Sequence, residues 1–216
     1  MKIELISVSS MSEGAEMLLT FSFRSDEGRR EKRKLLVFTD KYLELGLRKG
    51  AVLDTDTFDE LERISRECLA IRKGSNLLSY SSSSKVRLAQ RLRAKGIDAE
   101  SAKNAAQKLE EMGLIDEEAD VERAVQSCLK KFWGKKRIYR ELMAKGYGRE
   151  YIARELECVS EKELVENCVA LFYKKHKVFP DDPDAQKKIV ASLVRYGYGF
   201  SEIKQALIII EKKQNQ

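Results

Sequence analysis

One motif recurs three times and limits what this chain can become. Residues 87–103 (RLAQRLRAKGIDAESAK), 137–153 (RIYRELMAKGYGREYIA) and 188–204 (KIVASLVRYGYGFSEIK) align without a gap, and Gly96, Gly146 and Gly197 stand 50 and 51 positions apart. Four residues before each glycine is a leucine (Leu92, Leu142, Leu193), and directly after it comes Ile97, Tyr147 or Tyr198. A helix ends this way when the residue past its last turn must take positive φ. The motif therefore predicts positive φ at all three glycines, with a new helix within about three residues. Ahead of each motif lies another helical stretch, 58–80, 117–132 and 161–175. The reading is a mainly α chain of three tandem three-helix repeats, helix-turn-helix-like, with boundaries 58–116, 117–160 and 161–216. Units this small cannot bury their apolar faces alone and are expected to stack into an elongated array.

Local signals give the boundaries. Asp56 or Thr57 is the expected N-cap of the first helix, ahead of Phe58, Leu61, Ile64, Cys68, Leu69 and Ile71. Gly74 falls within or beside that helix. Ser81–Ser84 breaks the chain, with Ser84 as the next cap. Asp98 caps a helix reaching about Met112, which Gly113 stops. A short helix follows from about Arg149 to Leu156. Gly199 stands in for a cap after the YGYG run, which lacks the preceding strand of a phosphate loop.

Residues 1–57 differ. KIELISV (2–8), MLLTFSFR (17–24) and RKLLVFT (33–39) are β-branched or aromatic runs separated by Glu13-Gly14 and the polar stretch Ser25–Lys32, as in a small antiparallel sheet. Asp40 is placed as the cap of a short helix ending near Gly46. The segment holds 10 basic and 10 acidic residues, whereas each of the three repeats carries a net charge of +2. It reads as a small β-rich N-terminal domain.

The net charge of +6 and pI near 9.0 suit a polyanionic partner or an acidic protein groove. Cys68, Cys128, Cys158 and Cys168 form no CxxC pair and His176 is the only histidine, so no zinc site is expected. Cys128 and Cys168 read as small buried hydrophobes in a reducing compartment. No stretch approaches the roughly 18 apolar residues of a membrane span, and a cytoplasmic protein is expected. No pattern of a catalytic centre, metal or cofactor stands out.

The candidate binding surface centres on 130–147, KKFWGKKRIYRELMAKGY, where six basic residues between Lys130 and Arg140 meet no acid and Phe132, Trp133 and Tyr139 are interleaved. Ile138, Leu142 and Met143 are the expected apolar side of its helix. Two readings stay open: the aromatics pack the repeats while the cations are solvated, or one face meets phosphates or acidic side chains. Lys136 and Arg140 share that face and Arg137 lies at its edge, with Lys131 and Lys135 beside them. Arg87, Arg91 and Lys95 repeat the arrangement in the first unit, and Lys187 and Lys188 offer a poorer third copy. The third helices, ESAKNAAQKLEEM and REYIARELE, are mixed or acidic, which argues against base readout.

LLSYSSSSKVRLAQRLRAKGI, KLEEMGLID and WGKKRIYRELMAKGY, in that order, resemble the RecX family of recombination regulators, over about residues 58–212. The LRKG segment is similar to the N-terminal extension of Gram-positive-type members. Two positions depart from the family's pattern: Ser81–Ser84 replaces an Arg-x-Arg-Ser, and Asp120 stands where an aromatic is usual. The resemblance implies a monomeric negative modulator of RecA, without catalysis, active in DNA repair, homologous recombination and the SOS response. It would lie in the groove of the RecA–DNA filament and alter ATPase, strand exchange and filament growth. Single- or double-stranded DNA would be met weakly or through RecA. The alternative is a helical array that binds the nucleic-acid backbone independently of RecA.

Overall fold

The computed structural model describes residues 2–24 and 30–214, so residues 25–29 of the expected polar connection lie outside the described residues. Strands β1 (Lys2–Met11), β2 (Glu16–Arg24), β3 (Arg30–Phe38) and β4 (Val52–Leu53) form one antiparallel sheet in the order β3-β2-β1-β4. The helices are α1 (Thr39–Glu44), α2 (Thr55–Leu78), α3 (Lys85–Ala94), α4 (Ala99–Glu111), α5 (Glu117–Leu129), α6 (Lys135–Ala144), α7 (Arg149–Cys158), α8 (Glu161–Lys175), α9 (Pro183–Arg195) and α10 (Phe200–Gln214). The chain is thus mainly helical behind an N-terminal sheet, as the sequence implies. It divides into two compact units: residues up to Ser81 with Leu88–Ile115, and Ser82–Arg87 with Asp116 and all that follows.

In the first unit, period-two alternation puts Ile3, Leu5, Phe21, Phe23, Leu35 and Val37 in one core. Phe58 of α2 meets Phe21 and Phe23 edge-on, with ring centroids 5.1 and 4.9 Å apart. Leu61 joins it one turn on. Further along, Ala70 and Ile71 of the same helix enter a second core with Leu88 and Leu92 of α3 and Ala102, Ala105 and Leu109 of α4. Gly74 is buried inside α2; a methyl group there would lie 2.5 Å from Leu109 Cδ1, so a larger residue would force the Leu109 side chain to shift.

Two expected caps are corrected. α2 begins two residues early, because Asp54 accepts the Thr57 amide at 2.7 Å and leaves Asp56 and Thr57 inside the first turn. α1 begins at Thr39 with Phe38 as its cap, and Asp40 accepts the adjacent Lys41 amide from within the helix. The other caps are as read: Ser84 accepts from Arg87 N at 3.2 Å, and Asp98 from Ser101 N at 2.9 Å.

The three glycine stops share one backbone geometry. Gly96, Gly146 and Gly197 have φ of +81°, +79° and +95°. In each, the residue after the glycine returns its N–H to the buried leucine's carbonyl: Ile97 to Leu92 at 3.2 Å, Tyr147 to Leu142 and Tyr198 to Leu193 at 3.3 Å. In the second unit α5–α7 build a core around Val125, Ile138, Leu142 and Ile152. Helices α8–α10 build another around Phe172, Leu193, Tyr198 and Ala206.

Candidate functional site

The N-terminal turn of one helix docks twice in the second unit on the glycine stop of a later one. Near the start of α3, the Ser84 hydroxyl donates to the Lys145 carbonyl at 2.7 Å, while the Lys85 amide donates to the buried Glu117 carboxylate at 2.8 Å. Near the start of α6, Gly134 N–H donates to the Tyr196 carbonyl at 2.8 Å and Lys136 N–H to the Gly197 carbonyl at 3.1 Å. The Tyr198 hydroxyl closes this second junction on the Phe132 carbonyl at 3.0 Å. Phe132 takes positive φ, +58°, to make the turn, a cost that its packing and this hydrogen bond offset. Gly134 and Gly197 lie back to back, since a methyl group on Gly134 would sit 2.5 Å from the Gly197 carbonyl carbon and oxygen.

These junctions fix where the basic residues point. Ile138 and Leu142 bury one side of α6 completely. Met143 does not join them: it is 42% exposed, being roughly 140° around the helix from Ile138. Lys136 and Arg140 stand exposed together, the Arg140 Nε donating to the Lys136 carbonyl at 3.2 Å. Arg137 instead turns into the second junction, 4.1 Å from the Trp133 ring and 5.0 Å from that of Tyr196. Lys131 covers Trp133 at 5.5 Å, Lys175 covers Tyr196 at 4.1 Å, and Lys174 covers Phe132 at 5.3 Å. Trp133 and Phe132 of the basic–aromatic run therefore pack the fold, while Lys136 and Arg140 face solvent.

Arg87 is exposed in the second unit; Arg91, half-buried, and the exposed Lys95 belong to the first. Lys135 is half-buried at the head of α6. Lys187 is engaged by Asp184 at 3.0 Å, and Lys188 is exposed beside it. Among the described residues, Arg87, Arg91, Lys95, Lys131, Lys135, Lys136, Arg137, Arg140 and Lys188 make no ion pair. Tyr196 and Arg195, which the sequence reading passed over, border the same region. Their signal was position: Tyr196 occupies the place of Lys95 and Lys145 before the glycine.

Asp120 is buried and paired with Arg123. Burial first, then the Asp120 and Glu117 carboxylates, push the Tyr147 phenol up. Ser83, also buried, leaves its hydroxyl without a protein partner. Burial likewise raises the Cys68 and Cys168 thiols to about 12, and Cys158 alone of the four is exposed. Among the described residues, no helix is long and apolar enough to cross a membrane and no cluster of three or more His, Cys, Asp or Glu could hold a metal.

Fold and surface together define a helical protein built from docked glycine-stopped turns, with unpaired cations on its helix faces. The regulatory protein RecX of Listeria monocytogenes serotype 4b (strain CLIP80459) is 27% identical to this chain over 158 residues, 70% of this chain and 58% of that protein. The regulatory protein RecX of Caldanaerobacter subterraneus subsp. tengcongensis is 23% identical over 168 residues, 78% of this chain and 84% of that protein. A crystal structure of a regulatory protein RecX superimposes with a TM-score of 0.75, at 16% identity, over 94% of this chain and 98% of that one. The chain spans under two thirds of the length of the Listeria relative. No protein-family model matches the chain. Relatives and fold both support the RecX family, as the motifs implied.

Proposed function

We propose that this chain regulates RecA, binding in the groove of the RecA–DNA filament and altering its ATPase, strand exchange and growth, with no catalysis of its own. On this reading it is a cytoplasmic monomer of recombination and repair whose helices form three repeats, 58–116, 117–160 and 161–216, behind a β-rich domain. The observation that carries it is the exposed, acid-free pair Lys136 and Arg140, held outward by the buried Ile138 and Leu142. Arg87 on α3 is another exposed cation of the same unit that makes no ion pair among the described residues. Equivalent basic faces suit a helical polymer, because each can meet a successive subunit with multivalent gain.

The test is RecA ATPase on single-stranded DNA with the protein titrated in. Lys136→Glu/Arg140→Glu changes only exposed side chains, so the fold should hold to within about 0.5 kcal/mol, checked by circular dichroism. Inhibition should weaken strongly in this variant. A folded variant that inhibits like the parent would falsify the assignment of this face.

A further inference from the structure

A second basic feature lies between α8 and α9. A cleft of about 540 Å³ opens there, with Lys175, His176, Lys188, Ser192 and Arg195 around it and no acidic residue in its lining. Lys188, Ser192 and Arg195 fall at i, i+4 and i+7 on α9, one face of the helix. Among the described residues, Lys175, Lys188 and Arg195 make no ion pair. Three cations round one concavity repel one another and focus a positive potential that only an anion relieves. The floor is apolar, formed by Val178, Pro180 and Ile189, and Val178 is 65% exposed.

Lys175 also joins this cleft to the second junction. Its ammonium lies 4.1 Å from the Tyr196 ring, which the Arg137 guanidinium also approaches at 5.0 Å; Arg137 in turn lies 4.1 Å from Trp133. Cations and rings alternate from Lys131 through Trp133, Arg137 and Tyr196 to Lys175. Each cation is held by a ring that satisfies no part of its hydrogen-bonding capacity, so its N–H groups stay available to phosphate oxygens.

We propose that this cleft takes up a nucleotide of a single-stranded nucleic acid, its phosphates on Lys175, Lys188 and Arg195 and its base on the Val178–Ile189 floor, with the flanking backbone on the cation–ring series. A duplex turns its bases inward and offers phosphates from a convex ridge, so it cannot fill a concave apolar floor. The inference rests on the proposed function for the source of the strand, the DNA of the filament, and assigns that contact to residues away from the α6 face.

The experiment is fluorescence anisotropy of a labelled oligodeoxythymidylate titrated with the full chain over a salt series, without RecA. The double variant Lys188→Glu/Arg195→Glu, checked for folding by circular dichroism, should bind at least about tenfold more weakly. Its log–log salt slope should shrink by about 1.4, two phosphates at roughly 0.7 each. If the glutamates disturb the fold, Lys188→Gln/Arg195→Gln gives the same slope reading. Unchanged binding by a folded variant overturns the proposal. So does equal affinity for duplex, or displacement as effective by thymidine monophosphate or by polyglutamate, which would make the cleft a site for free nucleotides or for acidic protein. Oligonucleotide binding with no effect on RecA ATPase leaves the cleft standing and sinks the proposed function; ATPase inhibition without oligonucleotide binding does the reverse.

Discussion

The two junctions of the second unit solve one problem with different chemistry. At the first, a side chain does the joining: Ser84 holds the Lys145 carbonyl and caps its own helix with the same oxygen. At the second, backbone meets backbone through Gly134 and Gly197, with Tyr198 and the stacked Arg137 as reinforcement. A side-chain link leaves room between the chains, whereas a backbone link removes it. The first junction is therefore open to gradual change of sequence, and the second is tied to two glycines at once.

Alanine at the three stops should separate these cases by size. Gly197→Ala combines φ of +95° with a methyl group inside van der Waals contact of the Arg137 backbone nitrogen, and should cost about 3 kcal/mol or more in denaturant unfolding. Gly146→Ala meets side-chain atoms of Ser84 and Val86 at 3.1–3.2 Å and no backbone atom as near, and should cost about 1–2 kcal/mol. Gly96→Ala, with positive φ but nothing within 4 Å, isolates the backbone term at about 1 kcal/mol. Equal losses at Gly96 and Gly197 would show that the second junction adds nothing.

Ser84→Ala removes the cap and the carbonyl link together and should destabilise by about 1–2 kcal/mol. The corresponding change across the second junction, Tyr198→Phe, removes one hydrogen bond among several and should cost about 1 kcal/mol. A larger loss for Tyr198→Phe than for Ser84→Ala would reverse the comparison.

A further effect is alkaline. Burial raises the Cys68 and Cys168 thiols to about 12, from 9.0 when exposed, and raises the Tyr147 and Tyr198 phenols at the two junctions. The folded chain then keeps protons that the unfolded chain releases, so stability is full below pH 9 and falls as pH rises toward 12. Chemical denaturation across that range should show the decline, and Cys168→Ala should lessen it. A flat profile would mean that these groups are solvated.

The glycine stops and the sheet were legible because each rests on local chemistry: a leucine four residues before a glycine, or alternating apolar residues. The start of α2 was misplaced because Asp54, Asp56 and Thr57 all have capping side chains, and only packing of Phe58 on the sheet selects among them. The junctions were not legible. Nothing local singles out Gly134, since its reason for being glycine sits 63 positions away at Gly197. Arg137 looked like the margin of a solvent-facing stripe because one of the two rings that hold it, Tyr196, comes from the end of α9, far along the chain.

Helix α2 serves two masters in the first unit, with Phe58 and Leu61 in the sheet's core and Ala70 and Ile71 among α3 and α4. Such a beam makes the sheet and the first helices one melting unit. A chain trimmed just before Asp54 would bare Phe58 and Leu61 to water, so the natural place to sever this protein is not where its strands end.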